Sequence, residues 1–337
     1  MVVSISLLTY NGSRFIENCL KSVLAQTYSK IELLIIDNAS QDNTITKAQE
    51  IISKENSRFS IRVIKNQKNF GYSGGHNLGI RESRGELILF LNQDVVLAPD
   101  FVEKAVKYYE NSGTEKVGSL QAKLLKLDKN LQPTDIIDTA GLIIFKNRRI
   151  VNRGQGEKDS GQFDEADEIF GADGASPIYK RETLNDLKVF DEYFDEDFFM
   201  YKEDVDMAWR AKLYGWKSVY LPQAKAWHGR SAGESAATNY FSIIKERRKI
   251  DRFGKFLAFR NQRLMQIKNE LPGLFFRHLP RLLFKEIGAW GYVILFEPYT
   301  LKAVKELIKL MPKAFAKRKI IMNRKKIGAR DMGKWFV

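Results

Sequence analysis

Two adjacent carboxylates, Glu203 and Asp204, stand at the start of a segment with helical spacing that continues to Arg210. Because the N-terminus of a helix favours negative charge, we expect both acids to remain ionised near neutral pH. An ionised carboxylate that faces a cleft can take the proton from a hydroxyl group as that hydroxyl attacks a substrate. The alternative is an ordinary acidic helix start, which is common in soluble proteins.

A second candidate site is the triplet Asn92-Gln93-Asp94, which directly follows the apolar run Leu87–Leu91. A carboxylate at the end of a buried strand can help to hold Mg²⁺ or Mn²⁺, and such a cation neutralises phosphate charge. His228 follows a predicted strand and is the candidate for a second metal ligand. The alternatives are a turn or cap role for Asp94 and a structural role for His228.

A glycine-rich segment, Gly71–Gly79, follows the third predicted strand. Glycines let the backbone approach a ligand closely, and the start of the following helix offers N–H groups to a phosphate. The segment is not a Walker loop, because no Gly-Lys-Ser/Thr sequence follows it, and it does not have Rossmann spacing. The alternative is an ordinary loop without a ligand, because glycine-rich loops are common.

The first 95 residues that carry these motifs alternate between continuous apolar runs and helical patterns. The predicted strands are Val2–Leu8, Ile31–Ile36, Ile61–Ile64 and Leu87–Leu91. Continuous apolar strands separated by helices are typical of a parallel sheet that is buried on both faces. Ligands of such sheets bind at the carboxyl ends of the strands, so the polar residues that follow each strand should converge on one crevice.

Composition is that of a globular protein with a sizeable core, at 337 residues, 44% hydrophobic and 28% charged. The single cysteine, Cys19, excludes an internal disulfide and fits a reducing cytosol. The apolar start Met1–Thr9 has no basic segment before it, so it indicates a buried strand and not a signal peptide. No window reaches about 18 apolar residues, so no transmembrane helix is predicted.

Charge divides the chain into two parts. Residues 241–337 contain 24 Lys and Arg against 7 Asp and Glu, a net charge of +17, whereas residues 1–240 carry −3. Residues 271–326 interleave aromatic and basic side chains, which predicts helices lying on an anionic membrane surface. The alternatives are a helical pack that closes the acceptor side of the catalytic domain, or a dimer interface.

Taken together, these segments resemble the inverting family-2 glycosyltransferases of GT-A fold over about residues 2–230. The closest resemblance is to bacterial rhamnosyltransferases that build surface polysaccharides. The matching segments are Thr9-Tyr10-Asn11, Ile36-Asp37-Asn38-Ala39-Ser40, residues 69–77, Leu91-Asn92-Gln93-Asp94, Gly171-Ala172-Asp173 leading to Lys180-Arg181, and residues 198–210 followed by Trp216.

The resemblance implies an α/β, Rossmann-like mixed sheet flanked by helices, with a basic helical extension. It implies a GT-A catalytic domain at 1–240, divided into a nucleotide-binding half (1–95) and an acceptor half (96–240), and a helical region at 241–337. The implied site comprises the base Asp204 with Glu203; metal ligands Asp94 and His228; donor-binding Thr9, Tyr10, Asn11, Asp37, Asn69, Gly71, Gly74, Asn92 and Gln93; and sugar or acceptor contacts Asp173 and Trp209. Many relatives have an acid where this chain has Asn92, so Asp94 is the only carboxylate of the triplet.

The activity implied by the resemblance is transfer of L-rhamnose from dTDP-L-rhamnose, with inversion and with Mg²⁺ or Mn²⁺, onto a glycan or polyprenyl-linked acceptor. This would take place at the cytoplasmic face of the cell membrane, with a homodimer as a further expectation and no nucleic-acid partner. The first alternative is a UDP-sugar donor such as UDP-GlcNAc or UDP-galactose. A nucleotidyltransferase would need a basic glycine-rich loop after the first strand, and a non-catalytic nucleic-acid- or membrane-binding protein would leave the paired acids without a role.

Overall fold

Strands and helices alternate through the first 95 residues, as the apolar pattern predicts. The computed structural model describes residues 1–55, 57–230 and 240–337. The elements of the first part are β1 (Val3–Thr9), α1 (Ile16–Leu24), β2 (Ile31–Asp37), α2 (Thr44–Lys54), β3 (Ser60–Lys65), α3 (Gly71–Glu82) and β4 (Leu87–Asn92). One local expectation is wrong, because the glycine-rich segment is not a loop but the first turns of α3.

Among its described residues, the acceptor half contains three helices and strands of three to twelve residues. Its elements are β5 (Val95–Leu97), α4 (Phe101–Asn111), β6 (Val117–Leu127), β7 (Pro133–Thr139), β8 (Leu142–Ile144), β9 (Ile150–Asn152), β10 (Asp167–Ile169), β11 (Ile178–Lys180), α5 (Arg181–Leu187), α6 (Glu203–Leu213) and β12 (Lys217–His228). The C-terminal helices are α7 (Tyr240–Lys249), α8 (Arg252–Asn269), α9 (Pro272–Phe296), α10 (Lys302–Arg324) and α11 (Ala329–Met332). In the described part of the chain, no helix combines the length and the apolar character needed to cross a bilayer.

The main sheet is mixed, with the strand order β10-β12-β6-β11-β4-β1-β2-β3. Strands β4, β1, β2 and β3 are parallel neighbours, while β11 is antiparallel to both β4 and β6. β5 and β7 pair with the far half of the sheet, on β12 and β6. This confirms the predicted α/β class with a mixed sheet flanked by helices.

Side chains of the central strands alternate between two apolar cores, one on each face of the sheet. Leu87, Leu89 and Leu91 of β4 point into the core shared with α1 and α4. Ile88 and Phe90 of the same strand point into the core shared with α3, α6 and the C-terminal helices. Burial on both faces explains why the strand reads as a continuous apolar run.

The C-terminal helices pack onto the acceptor half through buried ion pairs as well as apolar contacts. Lys317 of α10 lies 2.5 Å from Asp195 and 2.7 Å from Glu192, and only 1% of its side chain is exposed. Lys268 of α8 lies 2.8 Å from Asp206 in α6. Part of the basic excess of residues 241–337 is therefore used inside the molecule, where it balances acids of the catalytic domain.

Candidate active site

A cavity of about 880 Å³ lies at the carboxyl ends of β1 and β4, and α6, β12 and α8 complete its wall. Segments as distant in sequence as residues 9 and 228 meet there. The predicted site residues that line the cavity are Thr9, Tyr10, Asn69, Gly71, Asn92, Gln93, Asp94, Asp173, Glu203, Asp204 and His228.

Asp94 and His228 face each other across one side of the cavity. Oδ1 of Asp94 lies 3.4 Å from Nε2 of His228. Pairing of β5 with β12 sets this separation, because it places His228 opposite Val95, the residue after Asp94. Two ligands that share one cation through bonds of about 2.1 Å stand about 3 Å apart, so the pair fits Mg²⁺ or Mn²⁺ with phosphate and water completing the coordination.

Asp138 supports His228 from the side away from the cavity. It is fully buried at the end of β7, and its Oδ2 lies 2.8 Å from Nδ1 of His228. Metal-ligating histidines commonly donate their second ring nitrogen to such a carboxylate, which fixes the ring. Burial opposes the charged imidazole, but the nearby Asp94 and Asp138 outweigh burial and raise the pKa of His228 to about 10. A cation that binds at Nε2 would therefore displace a proton.

Arg230 compensates the negative charge of Asp138, which lies behind Asp94 and His228. It donates to Oδ1 of Asp138 at 2.7 Å and lies 3.5 Å from Oδ2 of Asp173. Burial disfavours the charged forms of Asp138 and Arg230, but His228 and then Arg230 lower the pKa of Asp138, and Asp138 and Asp173 raise that of Arg230. Asp94 and Asp138 are thus held ionised by cations of the chain itself.

The loop before Glu203 and Asp204 has an unusual backbone. Phe199, Tyr201 and Lys202 all have positive φ, at 64°, 69° and 74°. Side chains other than glycine rarely adopt this region, so each position is strained unless its surroundings enforce it. The strain turns the chain sharply into α6, and α6 then presents both acids to the cavity.

Two neighbours hold this loop from opposite sides. Gly71, with φ of 70°, packs so closely that a Cβ there would lie 2.3 Å from the Phe199 carbonyl oxygen. From α8, Nδ2 of the buried Asn261 lies 2.8–2.9 Å from the carbonyl oxygens of Phe198, Met200 and Tyr201. A single side-chain amide of α8 thus contacts three carbonyl groups of the loop that precedes Glu203 and Asp204.

Burial changes the protonation expected for the two acids. Burial first, and then the charge of Asp173, raise the pKa of Asp204 to about 6. Burial and the charge of Asp204 raise the pKa of Glu203 well above its usual range. The expectation that both acids are ionised near neutrality is therefore wrong for Glu203, because loss of hydration outweighs the favourable helix start. Asp204 is the acid that can accept a proton.

On the nucleotide side, side-chain amides and hydroxyls tie neighbouring strand ends together. Gln93 accepts from the backbone N–H of Tyr10 and donates to its carbonyl oxygen, both at 3.0 Å. Thr9 donates its hydroxyl to Oδ1 of Asp37 at 3.1 Å. The ends of β1, β2 and β4 therefore form one polar floor under the cavity.

Residues 4–186, more than half of the chain, match the family model described as Glycosyl transferase family 2. The chain belongs to glycosyltransferase family 2. The alternative of a non-catalytic binding protein is set aside by this membership.

Curated relatives share parts of this family-2 chain. It is 27% identical over 227 residues to the poly-beta-1,6-N-acetyl-D-glucosamine synthase of Staphylococcus aureus, covering 67% of this chain and 49% of the relative. It is 31% identical over 111 residues to an uncharacterised glycosyltransferase of Haemophilus influenzae, covering 33% of each. The chain spans between about a quarter and a half of the length of the curated relatives it matches.

Solved structures confirm the GT-A fold of the family-2 chain. Residues 1–349 of S. aureus TarS in complex with UDP-GlcNAc align with a TM-score of 0.58 at 17% identity, covering 96% of this chain and 89% of that one. The mannosyltransferase PcManGT from Pyrobaculum calidifontis, in complex with GDP-Man and Mn²⁺, aligns with a TM-score of 0.52 at 16% identity, covering 96% and 79%. At these identities the likeness concerns the fold.

Four predicted site residues of the transferase do not line the cavity. Asn11 is exposed and accepts from the backbone of Gln41, whereas Asp37 is buried under the floor; the donor contacts predicted for both stay predictions. The predicted contact of Gly74 with the donor is wrong, because this residue is buried in α3 against Phe70. A Cβ on Gly74 would lie 2.8 Å from the Phe70 Cβ.

Trp209, the fourth, was expected to contact sugar or acceptor, and that expectation is wrong. Its side chain is fully buried on α6 and packs edge-on against Phe170 and Phe336. In a helix, residues 204 and 209 are five positions apart and face widely different directions. The face that presents Asp204 to the cavity therefore turns Trp209 into the core.

Sequence reasoning missed three residues of the site, Asp138, Arg230 and Asn261. A signal existed for Asp138, because an acid after Ile136 and Ile137 in an apolar strand must find a cationic or hydrogen-bonding partner when buried. Asn261 gave no comparable signal, since its three carbonyl partners lie about 60 residues away in sequence.

A second acidic cluster, Glu192, Asp195 and Asp197, brings its oxygens close enough to suggest a cation. Three lysine ammonium groups already occupy it, those of Lys268, Lys313 and Lys317. It is an ion-pair cluster of the core, and Asp94 and His228 stay the predicted metal ligands.

Replacement of Asp138 by Asn should weaken Mn²⁺ binding by about 10–100-fold, because the neutral amide no longer orients and polarises His228. Isothermal titration of the nucleotide-loaded protein with Mn²⁺ measures this directly, without turnover. Asp135→Asn is the matched control, since Asp135 lies on the same strand with an exposed side chain and pairs only with Lys158 among the described residues. Equal Mn²⁺ affinity in both variants would contradict the role assigned to Asp138.

Replacement of Asn261 by Leu should lower kcat by about 10–100-fold while donor affinity changes little, because the strained loop loses the amide that holds its three carbonyl groups. Steady-state kinetics and donor titration separate the two effects. Asn269→Leu is the control, because Asn269 is an equally buried amide of α8 that contacts Asp206 and not the loop. If both variants lose kcat to the same degree, general destabilisation explains the loss.

Proposed function

We propose that the chain transfers a sugar from a nucleoside-diphosphate sugar to an acceptor hydroxyl in a single displacement that inverts the anomeric centre. The observation that carries this proposal is the pairing of two functions in one cavity. Asp204, with its pKa raised to about 6, faces the same space as the Asp94–His228 pair. A base for the acceptor and a cation site for the leaving diphosphate are what such a displacement requires.

Each side chain then has a defined task. Asp94 and His228 hold the divalent cation, and Asp138 keeps the imidazole of His228 oriented. When bound, that cation neutralises charge on the departing diphosphate. Asp204 accepts the proton of the acceptor hydroxyl as the oxygen attacks the anomeric carbon. Glu203, protonated, limits the negative charge beside Asp204 during donor binding.

For the donor we propose a UDP-sugar, with UDP-GlcNAc as the first candidate. The resemblance predicts dTDP-L-rhamnose, whereas the S. aureus synthase is named for N-acetylglucosamine and the two solved structures contain UDP-GlcNAc and GDP-Man. Support for the UDP-sugar comes from the S. aureus synthase, at 27% identity over 67% of this chain, and from TarS with its UDP-GlcNAc. For the acceptor we keep a glycan or a lipid-linked glycan.

A panel of UDP-, dTDP- and GDP-sugars with and without Mn²⁺ tests the donor by thermal shift. We expect the UDP-sugar with Mn²⁺ to give the largest rise in Tm, because a ligand that binds only the folded state stabilises it by mass action. The Asp94→Asn variant should lose the Mn²⁺-dependent part of the shift. A larger shift with dTDP-L-rhamnose would reinstate the donor predicted from the resemblance.

Replacement of Asp204 by Asn should abolish transfer and leave donor binding intact, since the amide cannot accept the proton. In the unmodified protein, kcat should fall about tenfold per pH unit below about pH 6, because protonation inactivates a base whose pKa is raised to about 6. Above that pH, kcat should no longer change with this protonation. Retained turnover in Asp204→Asn, or an acid limb near pH 4, would remove Asp204 as the base.

A further inference from the structure

Helix α9 is apolar around most of its circumference, and the described residues of the chain cover only one of its faces. The covered face carries the buried residues Leu274, His278, Leu282 and Val293. The opposite face carries Phe276, Leu283, Ile287 and Ile294, which are 68%, 51%, 70% and 56% exposed. Their spacings of seven, four and seven residues place them in one line along the helix.

Neighbouring side chains widen this line into a patch, which we call the α9 face. Phe284 and Leu295 are 68% and 73% exposed beside it. Together the six apolar side chains present on the order of several hundred Å², as much as the largest patch of a typical monomer, roughly 300–600 Å². A patch of this size marks a surface that another apolar phase covers.

The charges around the α9 face indicate which phase that is. Arg277 and Arg281 are exposed on the same helix, and neither forms an ion pair within the described residues. They belong to the region with a net charge of +17. Anionic lipid attracts such a surface, whereas a second copy of the chain would bring the same positive charge to the contact.

We propose that the α9 face rests in the interfacial layer of an anionic lipid bilayer, with α9 lying along the membrane surface. Its phenylalanine, leucine and isoleucine side chains enter the boundary between head groups and acyl chains. Arg277 and Arg281 contact the lipid phosphates. The proposal goes beyond the reaction described above and does not depend on it.

The same helix borders the catalytic cavity. Lys285 lines the cavity and is two residues from both Leu283 and Ile287, about 200° around the helix from them. One helix diameter, about 10–12 Å, therefore separates the cavity wall from the bilayer. This arrangement favours an acceptor that is anchored in the membrane and reaches Asp204 past the edge of α9.

Flotation of the full chain with vesicles tests the proposal. One set of vesicles is phosphatidylcholine alone, and the other contains about one third phosphatidylglycerol. The apolar variant combines Phe276→Ser, Ile287→Ser and Leu295→Ser, and Phe190→Ser is its control, because Phe190 is 52% exposed in the catalytic domain. The charge variant combines Arg277→Gln and Arg281→Gln, with Lys30→Gln and Lys54→Gln as its control.

We expect the parent to float with the anionic vesicles and to bind phosphatidylcholine at least about tenfold more weakly. The apolar variant should lose at least about tenfold in partitioning and the charge variant several-fold, while both controls behave like the parent. A parent that fails to float, or an apolar variant that floats like it, overturns the proposal. If sedimentation velocity instead shows that the unmodified protein is a dimer and the apolar variant is a monomer, the α9 face joins two copies of the chain and the membrane proposal is wrong.

An unchanged melting temperature and unchanged donor binding of the apolar variant show that its fold is intact. Release of nucleotide from a soluble donor, measured without vesicles, reports on the reaction alone. Loss of flotation with retained nucleotide release therefore separates this proposal from the proposed function.

Discussion

The site depends on holding Asp94, Asp173, Glu203 and Asp204 at the wall of one cavity, with Asp138 directly behind it, without letting their repulsion open it. Asp94 and Asp138 share His228, and Asp138 and Asp173 share Arg230. The positive charges of His228 and Arg230 keep Asp94 and Asp138 ionised. Among the described residues, Glu203 and Asp204 form no ion pair of this kind, so burial raises their pKa values. The same cavity thus contains carboxylates ready for a cation and one poised to exchange a proton, and the difference arises from where the chain places its own positive charge.

The nucleotide half could be read from sequence because its signals are local. Continuous apolar runs gave each of the first four strands to within two residues, and the rule that parallel strand ends converge brought Thr9 and Asp94 to one cavity. The interpretation of Gly71–Gly79 as a loop failed because glycine, although it disfavours a helix, also lets a helix pack very closely against its neighbours. The close approach of the Phe199 backbone to Gly71 requires glycine at this position, and no local sequence pattern encodes that contact.

The errors on the acceptor side share one physical cause. Adjacent acids at a helix start predict ionised carboxylates when the helix lies in water, but burial outweighs the helix dipole for Glu203. Trp209 belongs to the same motif in sequence, yet the rotation of α6 turns it into the core. A motif fixes residue types, whereas tertiary packing fixes the environment and direction of each side chain. Asn261 completes the loop from a helix that the motif does not include.

The C-terminal helices supply part of the tertiary packing that positions the motif residues of the site. Their charge suggests a basic surface, but Lys268 and Lys317 are buried against acids of the catalytic domain, and Asn261 holds the loop that precedes its acids. Loss of this region would therefore disturb the base and not merely remove an appendage. Helix α8 contacts the loop and α10 forms the buried ion pairs. The outward side of α9 takes part in neither contact, and it is apolar and exposed. The helices that shape the acceptor side are thus also those that present the exposed patch.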